Sequence, residues 1–507
     1  MVTLDKVLNR GLLQKPSDAT AEDSLERSES NYKPLHSFVL SKDRQYQQQF
    51  ADIYFLRLTK IKPAVEEIAS AAWEGTVIGG EAAKRVDRVL DVRQGEPSWV
   101  TGTVYMDMHH KPNILEDVAK DRWISASSSV EHYFAEDGTD SVTLEDDSGR
   151  IHLVGDALKS FFMVTGCIVA VLGTENANGE FDVIDVKFAD LPPQPERWAL
   201  SKAAPNGTKI ETKSSKIKDE DVEMADSPSS KNGSKIAIVS GLEFSGVDTS
   251  YSMELNLLLE YLLGEALDST TQEELSHISR LIIAGNSIGP ESKTVADTSD
   301  KTSHKKYGYD SRAYDPIPSQ LLDEFLSELL PTMPITLLPG VLDPANTSYP
   351  QQPIHAAMFP KSKRYVALPG ALEAGWLDTV TNPWDGELEG WKVLGTGGQN
   401  LDDVFKYVDS DDRLGMMEAM CRWRCSAPTA PDTLWTYPFQ EDEPFVLKEC
   451  PHLYFVGCQP KFGTKVIEGL DGQMVRLITV PSFSATRELV LVDSETLDVS
   501  RIKITTT

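Results

Sequence analysis

Hydrophobic and polar positions follow three regimes along the chain. Up to about Leu40 the residues are polar, charged and Ser-rich without a period, which predicts a loosely ordered lead-in. The stretch SKDRQYQQQFADIYFLRLTKIKPAVEEIA then spaces Tyr46, Phe50, Ile53, Tyr54, Leu58 and Ile61 three and four apart. That is the single apolar stripe of an amphipathic helix packed on its own domain. Ser41 is placed to cap it and Pro63 to kink or end it. From about Pro97 the period shortens to two. SWVTGTVYMD reads as a strand, and DSVTLEDDSGRIHLVGD as a hairpin, with Val142 and Leu144 going out, Asp147-Ser148-Gly149 turning, and Ile151 and Leu153 returning. FFMVTGCIVAVLGTENANGEFDVIDVKFADL gives two more strands about an Asn-Gly turn. Short strands beside a helix predict a small barrel, and an OB-fold is the expected form.

The third regime begins after a break. Residues Lys202 to Lys235 carry basic and then acidic blocks with Pro, Ser and Gly and almost nothing to bury, so a disordered linker is expected there, with Ser227-Pro228 exposed. Beyond it, KIAIVSGLEF, RLIIAGNSIG and PITLLPGVLDP are near-continuous apolar strands. They alternate with the helical stretches YSMELNLLLEYLLGEAL and QLLDEFLSELLPTM, which implies a buried, largely parallel sheet. GPESKTVADTSDKTSHKKYGYDSR reads as a long surface loop. The expected division is a lead-in at 1–40, a helix plus OB-fold domain at 41–200, a charged linker at 201–235 and an α/β domain at 236–507.

Composition narrows the partners. The 507 residues hold 78 Asp plus Glu against 49 Lys plus Arg, a net charge of −29. Such a surface repels a phosphate backbone, so autonomous DNA binding is disfavoured and contact with DNA is expected only through a complex. The predicted hairpin carries Glu145, Asp146 and Asp147, which weakens the alternative of an OB-fold that binds single strands by itself. No run of about 18 apolar residues predicts a membrane span, and no basic segment followed by an apolar stretch at the start predicts a secretory signal. Five cysteines, Cys167, Cys421, Cys425, Cys450 and Cys458, fit a reducing compartment. Cys421 and Cys425 in CRWRC have no second pair at zinc spacing, so reduced thiols are the expected reading over a metal pair.

In a parallel sheet of this kind, chemistry belongs beyond the C-terminal strand ends, at Gly241–Glu243, Gly285–Ser287 and Gly340–Asp343. These segments resemble the metallophosphoesterase (calcineurin-like) family, which places Asp-x-His, Gly-Asp-x-x-Asp and Gly-Asn-His-Asp after its first three strands and Gly-His-x-His later. A two-metal centre needs hard carboxylates and imidazoles there. This chain has Gly241-Leu242-Glu243 at the first place and Asn286 after Gly285 at the second. At the third, Val341 and Leu342 stand between Gly340 and Asp343, and later comes Gly457-Cys458-Gln459-Pro460. Turn glycines remain while ligating groups are replaced. The expected fold is therefore an OB-fold barrel followed by a metallophosphoesterase-like α/β sandwich lacking its metal ligands, with no catalytic residues, no metal and no cofactor. His277, His304, His355 and His452 are not at strand ends in ligand spacing. No Walker-type loop or Gly-x-Ser-x-Gly elbow occurs. LGTGGQN, at Leu394 to Asn400, reads as a tight turn after a strand and lacks an obvious phosphate-binding helix start.

QFADIYFLRLTKIKP, LPGVLDPANTSYPQQPIHAAMFP, VTNPWDGELEGWKVLGTGGQN, SAPTAPDTLWTYPF, ECPHLYFVGCQPKFGTKVIEG and VRLITVPSFSATRELVLVD resemble segments of the small (B, regulatory) subunits of DNA polymerase delta, over about Ser41 to Lys503. The resemblance implies a nuclear, non-catalytic accessory subunit acting in DNA replication and repair. It implies three partners: the cysteine-rich C-terminal domain of the catalytic subunit, a third accessory subunit and, directly or indirectly, the sliding clamp. The interface residues do not form a short motif and are not assigned. An active metal-dependent phosphodiesterase or nuclease is the competing enzymatic reading.

Overall fold

The computed structural model describes residues 2–3, 25–45, 50–112, 131–135, 138–199, 233–265, 268–289, 315–367 and 374–506. The expected linker core with Ser227, the surface loop at 290–314, Tyr46 and His304 lie outside the described residues. Residues 25–40 correct the expectation of a loose lead-in. Tyr32–Pro34 (β1) is the edge strand of a sheet, pairing Tyr32 with Leu388. The Arg27 guanidinium donates to the carbonyls of Leu262, Leu275 and Ile278, and Phe38 is buried. This strap is held by backbone pairing, one guanidinium and two separated aromatics, so its sequence shows no period.

Helix α1 is Ala51–Trp73, and it also departs from expectation. It starts after Phe50 with no side-chain cap, so Ser41 does not cap it, and it runs straight through Pro63. Its buried residues, Ile53, Arg57, Ile61, Val65, Ala69 and Trp73, recur every fourth position. Pro63 and Thr59 lie on the exposed face. The carbonyl that loses its partner at Pro63 is therefore left to water, while the buried ridge holds the helix together.

The helix packs on Ser98–Asp107 (β2) and Ile168–Glu175 (β5) of a barrel completed by Ser141–Glu145 (β3), Arg150–Val154 (β4) and Glu180–Lys187 (β6). The strand order β2-β3-β4-β6-β5 closes back on β2. Among these five strands β4 and β6 pair in parallel and the rest antiparallel, the connectivity of an OB-fold. The hairpin has the expected register, with Val142 opposite Leu153 and Leu144 opposite Ile151. Asp146 fixes its turn by accepting from the N–H groups of Ser148 and Gly149 at 2.8 and 3.0 Å, and from Val89 N at 2.7 Å.

The α/β body has two sheets. The first contains Lys235–Val239 (β7), Ile278–Ala284 (β8), Ile335–Leu338 (β9) and Leu377–Thr379 (β10), all parallel. The second continues from β1 through Trp384–Leu388 (β11), Trp391–Thr396 (β12) and Leu453–Gln459 (β13). Gly463–Glu468 (β14) forms its far edge beyond Met474–Pro481 (β15). Glu488–Asp493 (β16) and Val499–Thr505 (β17) add antiparallel strands to the first sheet, and Val2–Thr3 pairs with β17. The sheets face each other through Ile236, Ile238, Ile282, Leu338, Trp384, Val393, Phe455 and Val480.

Ser252–Leu263 (α2) and Ile317–Leu329 (α4) cover the outside of the first sheet. Between them lies Ser269–Ser276 (α3), a short helix that the apolar pattern does not announce because it buries Leu275 alone. Gln399–Tyr407 (α5) and Arg413–Arg422 (α6) cover the second sheet, in one continuous core with the barrel. Phe483–Thr486 (α7) links β15 to β16.

Cations bind the barrel to this body. Arg57, fully buried on α1, donates through Nε to Glu443 at 2.9 Å and through a terminal nitrogen to the Ala430 carbonyl at 2.8 Å. Lys111, with its ammonium 4.2 Å from the Tyr105 ring centroid, pairs with Asp432 at 2.7 Å. In the opposite direction Arg424 Nε donates to the Asp190 carbonyl at 2.7 Å.

Candidate functional site at the strand ends

The ends of β7, β8, β9, β12 and β13 converge, and glycines let them do so. A Cβ on Gly285 would lie 2.9 Å from Gly397 Cα, one on Gly340 2.3 Å from Asn286 N, and one on Gly457 2.1 Å from the Ala284 carbonyl oxygen. Three side-chain-bearing residues take left-handed backbone here: Glu243 at φ 49° and Asn286 at 48°, just past their strands, and Cys458 at 54°, at an irregularity near the end of β13. Such geometry is costly for non-glycine residues and persists where surrounding structure enforces it.

At each place the chemistry is directed inward, toward the turns. Asp343 Oδ1 accepts from Ile288 N at 2.9 Å and Oδ2 from Gly340 N at 2.7 Å, so its carboxylate ties the end of β8 to the end of β9. Burial pushes Asp343 up to about 6, against the pull of these N–H groups. Asn286 Oδ1 accepts from Leu342 N at 3.1 Å. Val341 faces solvent at 64% exposure, away from the junction. Glu243 Oε1 accepts from the Ser482 hydroxyl at 3.4 Å, and Ser482 packs on Gly241. Cys458 receives the Ser240 hydroxyl through its sulfur at 3.4 Å, and burial raises its thiol well above the ordinary range. Among the described residues, no group of three or more His, Cys, Asp or Glu side chains comes together to hold a metal.

What does come together is a set of carboxamides. Asn382 Nδ2 donates to Gln351 Oε1 at 2.9 Å and to Gln399 Oε1 at 2.8 Å, and Gln399 Nε2 donates to Gln351 Oε1 at 2.7 Å. Asn382 Oδ1 accepts from Gly397 N, and Gln351 Nε2 donates to the Gly340 carbonyl. Beside them Arg413 joins Asp402 and the buried Gln459 at 2.6 and 2.7 Å. Sequence pattern singles out none of Gln351, Asn382 and Gln399 as a site residue except through the segments SYPQQP, VTNPWDG and LGTGGQN that contain them. In LGTGGQN the turn follows β12 as expected, and α5 begins directly after it at Gln399, a helix start that the sequence does not make obvious.

The remaining candidates stand elsewhere. His355 Nδ1 accepts from Ala357 N at 3.2 Å, and His452 Nδ1 from Lys392 N at 3.1 Å. Cys421 and Cys425 are buried free thiols, and burial pushes Cys425 up to about 12.

Comparison with known proteins follows the same two bodies. The family model for the B subunits of DNA polymerases alpha and epsilon matches residues 236–464, and that for the DNA polymerase delta subunit OB-fold domain matches residues 49–186. Both models describe subunits of DNA polymerases. The DNA polymerase delta small subunit of Saccharomyces cerevisiae is 32% identical over 488 residues, covering 91% of each chain. That of Arabidopsis thaliana is 32% identical over 482 residues, covering 95% of this chain and 97% of the relative. The DNA polymerase delta subunit 2 of Drosophila melanogaster is 29% identical over 475 residues. The chain belongs to the family of DNA polymerase delta small subunits.

Proposed function

We propose that this protein is a non-catalytic accessory subunit of DNA polymerase delta, acting in the nucleus in replication and repair. Its C-terminal body, residues 236–507, is a calcineurin-like phosphoesterase fold whose metal ligands have been replaced. The OB-fold domain, 41–200, and the charged linker, 201–235, precede it. The observation that carries the reading is the match to polymerase delta small subunits over more than nine-tenths of both chains. The strand ends support the inactive state. Glu243, Asn286 and Cys458 keep an enforced left-handed backbone at the positions where the phosphoesterase pattern has ligands, but their side chains are an unsuited set for paired metals. A carboxylate whose two oxygens are spent on backbone N–H groups, as in Asp343, has little left to offer a cation.

As an accessory subunit it bridges the cysteine-rich C-terminal domain of the catalytic subunit to a third subunit, meets the sliding clamp directly or through them, and reaches DNA only through the complex. Its net charge of −29 supports that indirect contact. The test is a pull-down of the full chain with the catalytic subunit's C-terminal domain, with and without the third subunit. Retention in both arms is expected, and loss of binding in both would remove the assignment.

A further inference from the structure

The strand-end junction buries several polar side chains, yet their chemistry is wrong for cations. Asn382 is fully buried, and its side chain uses two N–H donors and one acceptor on Gln351, Gln399 and Gly397. Its backbone pairs with that of Gln351 in both directions, at 2.9 and 2.8 Å. Gln351, 3% exposed, carries the connection on to the Gly340 carbonyl at 3.0 Å. Four separate segments therefore meet: the end of β9, the Pro-Gln-Gln-Pro loop, the loop after β10 and the turn that starts α5. The first belongs to one sheet and the last to the other, while the third runs from β10 of the first sheet to β11 of the second. All three amide oxygens face N–H donors here, and Gln351 Oε1 accepts two, so both of its lone pairs are committed. A divalent ion would need those same lone pairs free and convergent.

We propose that this closed triangle of carboxamides, with Asn382 as its hub, is a metal-free cross-link that holds the two sheets together at the place where the phosphoesterase pattern puts metal ions. The inference rests on the reading of an inactivated phosphoesterase and adds what replaced the metals. Neutral amides suit the position because each supplies both donors and acceptors, so a closed ring is satisfied without any buried net charge. It also gives a physical reason for the distinctive segments: Gln351, Asn382 and Gln399 come from segments that carry the family resemblance, and they make one structure.

The experiment compares thermal melting of the full-length protein with those of Asn382→Asp and the milder Gln399→Glu, each in EDTA and in Mn2+. Asp in place of Asn sets lone pairs against the oxygens of Gln351 and Gln399. A fall of several degrees in Tm is expected for Asn382→Asp, with a smaller fall for Gln399→Glu. Both deficits should shrink as pH is lowered and the introduced carboxyl takes up a proton, a pH response that mere loss of packing would not give. If Asn382→Asp does not fold, the pH dependence of Gln399→Glu decides. Wild-type Tm should be the same in EDTA and Mn2+. Variants that melt like wild type at all pH values would overturn the cross-link while leaving the accessory-subunit reading intact. A wild-type Tm raised by Mn2+ and lowered by EDTA would overturn both the cross-link and the inactivated phosphoesterase.

Discussion

Beside the apolar core that the barrel shares with the α/β body, their polar contacts use charged side chains, whereas the two sheets of that body are joined at their strand ends chiefly through neutral ones. Arg57 and Glu443 are both fully buried, and Arg57 also spans the carbonyls of Gly166, Pro428 and Ala430. At the strand ends Asn382, Gln351 and Gln399 satisfy one another. The two solutions respond differently to damage. A buried ion pair contributes little net stability when formed but leaves an uncompensated charge when halved. A carboxamide ring loses individual hydrogen bonds, each of modest net worth. The domain junction is thus built to be unique and the strand-end junction to be complete.

The largest break should come at the charged junction. Glu443→Ala strands Arg57 inside the protein and is expected to cost about 3–5 kcal/mol in denaturant unfolding. The double variant Arg57→Met with Glu443→Leu should be less destabilised than Glu443→Ala, because no charge is left buried. A double variant worse than the single would place the weight on Arg57's carbonyl contacts instead. Next comes Asp343→Ala, which deprives Gly340 and Ile288 of their acceptor and should cost about 1–3 kcal/mol for each N–H left unpaired.

The Asp343 effect has a pH signature. Its folded-state value, about 6, is above that of a free carboxyl, so the folded protein holds the proton more tightly than the unfolded chain. The associated stability is present in full below the ordinary carboxylate range and is lost as pH rises through about 6. The stability gap between wild type and Asp343→Ala should therefore narrow over that window and be flat above it. A gap that widened with pH would show the N–H groups outweighing burial. The smallest effect is expected for Lys361→Ala. Its pair with Glu324, 2.7 Å apart, has side chains 55% and 51% exposed, so solvent screens it and the loss should be about 1 kcal/mol or less by urea titration.

Sequence pattern reached the parts of this molecule whose physics is local. Val142, Leu144, Ile151 and Leu153 alternate because one face of a hairpin is buried, and the register followed. The apolar runs at Ile236–Val239 and Ile278–Ala284 betrayed strands covered on both faces. Pro63 misled because its cost depends on which side of the helix it faces, and that side is set by the barrel. Arg57 sits in the middle of the buried ridge, where a charged residue reads as a gap in the stripe until Glu443, 386 positions on, supplies its partner. The strap and the carboxamide ring were illegible for a related reason. Single Gln and Asn residues in loops, or three residues of edge strand, carry no period, and their meaning lies in distant groups, 31 positions away for Asn382 and Gln351 and 352 for Tyr32 and Trp384. At the strand ends Gly241, Gly285 and Gly340 follow β7, β8 and β9 while Gly457 lies within β13, and no pattern in the sequence says what the side chains beside them do.

The strap has a consequence for how the protein is made. Tyr32 forms its edge of the second sheet against a strand that includes Trp384, and 352 positions separate the two. At roughly 5–20 residues per second of synthesis, the ribosome delivers that partner strand on the order of 20–70 seconds after the strap itself. Until then the aromatic-bearing N-terminal segment has no sheet to join, while the OB barrel between them can already close on its own strands. Birth order and assembly order are therefore inverted: a segment made before the barrel reaches its place after it, so nascent chains of this subunit should pass through a stage with a barrel preceded by an unclaimed strap.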